Sequence, residues 1–186
     1  MEQWRKAVVF LLGIGLLPVA QTLPLDTQTP DAYARPGKHI AVGDGRSLNL
    51  RCSGSGPVTV LLEAGAHADL SSWFRVQPLL QETARVCAYD RAGYGFSGEG
   101  PLPRDLAADV ADLHALIEGA GLRTPLVLVG HSLGSNIVRR YASVHPGDVA
   151  ALVLVDPPAQ DQQRFMPAQW NRDETAMAAQ RDAFLA

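Results

Sequence analysis

The chain has 186 residues, of which 47% are apolar and 19% charged, and a formal net charge of −3. That length fits one sizeable domain, and the apolar fraction supports a packed core, which excludes a wholly disordered chain. The acidic balance excludes a nucleic-acid-binding protein of the usual kind, since that needs a basic face.

Residues 1–20 differ from the rest. Arg5 and Lys6 precede an apolar run, Ala7 to Ala20, broken only by Gly13, Gly15 and Pro18. A basic start, a short apolar run and Pro18-Val19-Ala20 predict an export signal cut after Ala20, placing the protein in the periplasm or the medium. The run is short against the roughly 20 residues of a spanning helix. An uncleaved membrane anchor is the alternative. Residues 21–37 carry Pro24, Pro30 and Pro36 among Thr and Gln and read as a linker. The two cysteines, Cys52 and Cys87, match no zinc pattern. Export permits a disulfide between them, and two small buried residues are the alternative.

From residue 38 the elements follow in order. His39 to Val42 and Ser47 to Cys52 alternate around Gly43-Asp44-Gly45, which predicts a hairpin. Val58 to Leu62 is a continuous apolar run, as in a strand buried on both faces. Ser71 and Ser72 are placed to cap a short helix through Trp73, Val76 and Leu80, which Pro78 breaks or restarts. Arg85 to Tyr89 is a further strand. Gly93, Gly95, Gly98 and Gly100 mark a loop, and Pro103 suits a first helical position. Leu106, Val110, Leu113 and Ile117 then recur at helical spacing until Gly119 and Gly121. Leu126 to Val129 is a buried strand, Leu133 to Ser143 a helix stopped by His145-Pro146, and Val149 to Val155 a last apolar strand before Asp156-Pro157-Pro158. Strands alternating with helices from residue 58 predict an α/β fold: a mostly parallel sheet with helices on both faces and an antiparallel hairpin at one edge.

The strand-to-helix junction reads Gly130-His131-Ser132-Leu133-Gly134. A G-x-S-x-G turn between a buried strand and a helix forces the serine into a strained backbone and lifts its hydroxyl above the strand end. Gly130 and Gly134 remove side chains that would collide there, with His131 between the first glycine and the serine. Ser132 is thus the expected nucleophile. The Leu133 N–H, at a helix N-terminus, is an expected oxyanion donor. The alternative is a glycine-rich turn whose serine only caps the helix.

Four segments in order resemble the α/β-hydrolase family: Leu62-Glu-Ala-Gly65 with Trp73 downstream, Asp90-Arg-Ala-Gly-Tyr-Gly-Phe-Ser97, Gly130 to Gly134, and Leu152 to Asp156. The resemblance covers residues 38–158. It implies a sheet whose second and fourth strands are neighbours, which favours a Cys52–Cys87 disulfide. It implies a second oxyanion donor, the N–H of Ala66, and a loop-shaping role for Asp90 to Ser97. It also implies a serine hydrolase acting by acyl transfer on a small ester-like or amide-like substrate, without a metal or an organic cofactor.

In the family the triad runs serine, acid, histidine, the last after an eighth strand. Six strands are legible here, and residues 159–186 read as the start of a lid or as a tail. The core is therefore expected to be partial, with the histidine beyond it and activity impaired. His145 follows Ser132 at the far end of a helix, about 20 Å away at 1.5 Å per residue. His131 is expected to point away from the serine, His114 lies on a helix facing elsewhere, and His39 is in the first strand. His67, in the loop that carries Ala66, is the candidate substitute base. Asp156 is the candidate acid, with a turn residue before two prolines as its alternative. A non-catalytic binding protein of the same fold is the rival reading. The apolar last strand would stand at a sheet edge, which predicts poor solubility unless residues 159–186 cover it.

Overall fold

The computed structural model describes residues 30–159. Six strands form one sheet: β1 (Lys38–Gly43), β2 (Arg46–Ser53), β3 (Thr59–Glu63), β4 (Arg85–Tyr89), β5 (Leu126–His131) and β6 (Val149–Val155). Four α-helices accompany them: α1 (Pro30–Tyr33), α2 (Gln77–Leu80), α3 (Leu106–Gly119) and α4 (Leu133–Val144), with short 3-10 turns at Leu70–Trp73 and Pro146–Asp148. The strand order is β1-β2-β4-β3-β5-β6. β1 and β2 form the expected antiparallel hairpin, and β2 pairs antiparallel with β4. The pairs β3–β4, β3–β5 and β5–β6 are parallel.

The apolar pattern of each strand explains its place. All five residues of β3 are buried, and its apolar centre, Val60 to Leu62, is what a strand covered on both faces demands. β1, at the sheet edge, alternates and buries only Ile40 and Val42. Successive side chains of β3, β4 and β5 feed two separate cores. Leu61, Cys87, Tyr89, Leu126 and Leu128 pack with Leu113 and Leu116 of α3 and with Ile137 and Tyr141 of α4. Val60, Leu62, Val86, Ala88 and Val129 pack on the opposite face with Tyr33, Leu70 and Trp73. Helices therefore lie on both faces.

Cys52 lies directly opposite Cys87 across β2 and β4, and the two form a disulfide. The second and fourth strands are neighbours, as the family resemblance implies.

Two helix starts differ from expectation. Asp69, not Ser71 or Ser72, caps the Leu70–Trp73 turn, accepting from the Ser71 N–H at 2.8 Å. An ionised carboxylate is the stronger acceptor for an unpaired amide, and both serines fall inside the turn. α3 begins at Leu106 rather than at Pro103. Asp105 caps it through the Ala108 N–H at 2.9 Å. Arg104 reaches Asp109 and Asp112, each at 2.7 Å, and so folds the Pro103 segment back along the first turn. Pro78 restarts rather than breaks: it sits in the first turn of α2, where its missing N–H leaves no bond unmade.

Among the described residues β6 is the outer strand beyond β5, and Leu152 to Val155 are each between 37% and 46% exposed. No helix of the described residues is long and apolar enough to cross a membrane. The expected signal or anchor, most of the linker, and nearly all of the lid or tail segment lie outside the described residues.

Candidate active site

The site grows from the carboxyl ends of β3, β5 and β6, where parallel strands hand over to loops and helix N-termini. Ser132 links β5 to α4 with φ 49° and ψ −120°, a backbone that side-chain-bearing residues rarely adopt. Its side chain makes no capping bond to α4, so the capping alternative for this serine fails.

The flanking glycines are required by contact. A Cβ on Gly130 would lie 2.5 Å from the Gly134 carbonyl oxygen. A Cβ on Gly134 would lie 2.6 Å from the carbonyl oxygens of both Glu63 and Ala64. The elbow is therefore pressed against the end of β3. On the other side the Ser132 N–H donates to the Val155 carbonyl at 2.9 Å, which ties the elbow to the end of β6. Leu133 opens α4, so its N–H has no acceptor within the helix.

The loop after β3 lies beside the serine. A Cβ on Gly65 would meet the Ser132 Cβ at 3.4 Å and the His131 Nδ1 at 2.9 Å. His131 thus packs against this loop. Ala66 and His67 follow, both exposed, and His67 has φ 55°. Asp156 follows Val155, exposed and with φ 47°. Ser132, Leu133, Ala66, His67 and Asp156 therefore share one edge of the sheet.

His145 and His114 do not reach this edge. They stack on each other with ring centroids 3.9 Å apart, at the opposite end of α4 from Ser132. Donor atoms of His114, His145 and Asp148 come within 4.8 Å of one another. Tyr141 already bridges His114 Nδ1 and Asp148, at 3.1 and 3.0 Å, and parallel rings do not aim both imidazoles at a common metal. Among the described residues no histidine hydrogen-bonds the Ser132 hydroxyl.

Asp90 does shape loops, as the resemblance implies. Its buried carboxylate accepts from Asn49 Nδ2 at 2.8 Å and from the backbone N–H groups of Leu70 at 2.8 Å and Phe96 at 2.9 Å. Those two loops border a cavity of about 670 Å³, lined by Tyr33, Asp69, Phe74 and Phe96 among others.

One group escaped the reading of the sequence as a site. Glu63, at the end of β3 and 1% exposed, pairs with Arg91 at 2.7 Å and accepts a short hydrogen bond from Tyr89. Burial is the largest influence and pushes the Glu63 carboxyl up to about 7, against the pull of Arg91 and Tyr89. Arg91 also donates to the carbonyls of Ala64 and Gly65, each at 2.6 Å. The signal available was a carboxylate closing an otherwise apolar strand, in Val58 to Glu63.

Comparison with known proteins agrees with this geometry. A family model described as the alpha/beta hydrolase fold matches residues 58–186. The chain is 30% identical to the uncharacterised protein YqjL of Bacillus subtilis, over 66% of this chain and 49% of that protein. It is 38% identical to lipase LipV of Mycobacterium tuberculosis, over 55% of this chain and 38% of LipV. A hydrolase of Pseudomonas aeruginosa superposes with a TM-score of 0.63 at 27% identity, over 80% of this chain and 57% of that one. The chain thus spans 38% to 57% of the length of these relatives. With a mostly parallel sheet, a strained serine between β5 and α4 and a matching family model, this chain belongs to the alpha/beta hydrolase fold family.

Proposed function

We propose that this chain carries the nucleophile and the oxyanion hole of an exported serine hydrolase, which transfers the acyl group of a small ester or amide to water. The observation that carries the reading is the backbone of Ser132, held at φ 49° beside Gly65 with its side chain left uncapped. The Ser132 Oγ attacks the substrate carbonyl carbon and gives up its proton to a base. The carbonyl oxygen becomes an oxyanion and takes the N–H groups of Leu133 and Ala66. The C–O or C–N bond then breaks, and water releases the acyl group in a second step. Asp156 is the acid of this reading, and His67 is the candidate for a substitute base. Where the base is missing, about 10³–10⁴-fold catalysis over water remains from the oxyanion hole and binding.

The Cys52–Cys87 disulfide supports export, because such bonds persist in oxidising compartments. A second reading, a binding protein of the same fold, draws on the lack of a histidine at Ser132 among the described residues. Turnover of 4-nitrophenyl esters separates the two. Loss of turnover in Ser132→Ala supports the hydrolase, and turnover unchanged by that substitution refutes it. Loss in His67→Ala with folding intact assigns the base to His67.

A further inference from the structure

We infer that Arg91 is a positioning residue that holds the Gly65–Ala66 peptide with its N–H turned toward the oxyanion; this rests on the proposed acyl-transfer role of Ser132. The geometry is specific. The Arg91 guanidinium donates through Nη1 to the Ala64 carbonyl and through Nη2 to the Gly65 carbonyl, both at 2.6 Å. The Gly65–Ala66 bond is not among the cis peptides of the described chain. In a trans peptide the C=O and the following N–H point in opposite directions. Fixing the Gly65 carbonyl on Arg91 therefore turns the Ala66 N–H the other way. Gly65 is also the residue whose Cβ position lies 3.4 Å from the Ser132 Cβ.

Arg91 is itself held on two further sides. Glu63 Oε1 accepts from Nη1 at 2.7 Å, and the Tyr94 ring lies 5.0 Å from the guanidinium carbon. The Arg91 side chain is only 5% exposed, so water cannot take over its bonds cheaply. A planar fork with parallel donors matches two successive carbonyls, which the point charge of lysine does not. Glycine at position 65 and exposed residues at 66 and 67 leave the loop few contacts of its own. Its direction is thus set from behind.

The test uses diethyl 4-nitrophenyl phosphate on the full chain. The Ser132 Oγ forms a bond to phosphorus, 4-nitrophenolate leaves, and the Oγ proton passes to base or solvent. Intact mass counts one adduct per chain, its absence in Ser132→Ala places it on Ser132, and nitrophenolate absorbance gives the maximal rate and the half-saturating concentration separately. In Arg91→Met the maximal rate is expected to fall about 10²-fold, the effect of losing one oxyanion donor. Half-saturation should stay within about threefold, as expected for an interaction made mainly in the transition state. Arg91→Lys, which keeps one of the two carbonyl bonds, should fall between Arg91→Met and the parent. Tyr141→Phe, at the far end of α4, should lower the melting temperature and leave the maximal rate alone, which shows what a purely structural loss looks like. A folded Arg91→Met whose maximal rate matches the parent overturns the inference and leaves the serine reading intact. If Arg91→Met does not fold, Arg91→Lys decides alone, and an unchanged rate there overturns it. A parent chain that never gains the adduct at Ser132, or a Ser132→Ala chain that gains it equally, overturns the acyl-transfer reading and this inference with it.

Discussion

Reducing the Cys52–Cys87 disulfide is the perturbation whose size follows most directly from the fold. The bond closes a loop with a sequence separation of 35 between β2 and β4. In the chain-entropy account, a loop of that length removes about 13 cal/mol/K from the unfolded chain, or about 4 kcal/mol at 25 °C. Domains of this kind are stable by about 5–15 kcal/mol, so the loss is a large share of the whole. Reduction by a phosphine is preferable to alanine substitution, because Cys87 is fully buried and its removal would add a cavity cost. Urea unfolding of the oxidised and reduced protein measures the effect. With a urea slope of about 2 kcal/mol per molar, the midpoint should drop by about 2 M. Two maleimide-reactive thiols in the unreduced, denatured protein, or coincident midpoints before and after reduction, would refute the reasoning.

Gly134→Ala places a Cβ 2.6 Å from the Glu63 and Ala64 carbonyl oxygens. It should cost about 1–3 kcal/mol in urea unfolding and slow adduct formation at Ser132, because the end of β3 must move away from α4. Glu63→Gln tests the buried carboxyl. Its pKa rises from 4.5 to about 7 on folding, so the native state holds a proton that the unfolded chain has lost. That contribution is full below pH 4.5 and disappears as pH rises through about 7, amounting to about 3 kcal/mol. The parent should therefore lose more stability than Glu63→Gln between pH 4.5 and 7.5, and equal losses would show that Glu63 is not the titrating group. Asp156→Asn keeps a residue type that tolerates the φ of 47°. A fall in ester turnover of about 10⁴-fold, with folding unchanged, marks Asp156 as the triad acid, whereas an effect within about threefold makes it a turn residue.

The strands were legible as short runs of apolar residues bounded by turn residues. Arg85–Tyr89 and Val149–Val155 stand where the runs place them, and β3 shifts by one residue to include Glu63. The elbow was legible because its requirement is local: two glycines and a serine between a strand and a helix. Helix starts were less so. Asp69 and Asp105 each won the cap against nearby residues of plausible type, and only the hydrogen bonds to Ser71 and Ala108 decide between them. The Arg91 brace was hidden for a different reason. Glu63 and Arg91 are 28 residues apart, and what joins them is the parallel pairing of β3 with β4, with Leu62 opposite Ala88. That register sets Glu63 beside Tyr89 and brings the two strand ends to the same height. A pattern along one segment carries no trace of it.

The division of the site follows from the same topology. Groups that orient charge are buried at the carboxyl ends of β3 and β4, where Glu63, Asp90 and Arg91 are each at most 5% exposed. Burial there makes their bonds strong and leaves no solvent to compete, at the cost of a carboxyl that resists ionisation. Groups proposed to move protons are exposed: His67 and Asp156 both are, and β6, which leads into Asp156, has exposed apolar side chains among the described residues. Orientation needs rigidity, and a sheet interior supplies it. Proton transfer needs a partner of matched pKa within hydrogen-bond reach, and an exposed carboxylate meets that condition only when something packs against it. On the proposed acyl-transfer reading, oxyanion binding and proton transfer are therefore separable. On that reading a variant at Arg91 should change how tightly a developing negative charge is held, and a variant at Asp156 should change how a proton is taken from Ser132.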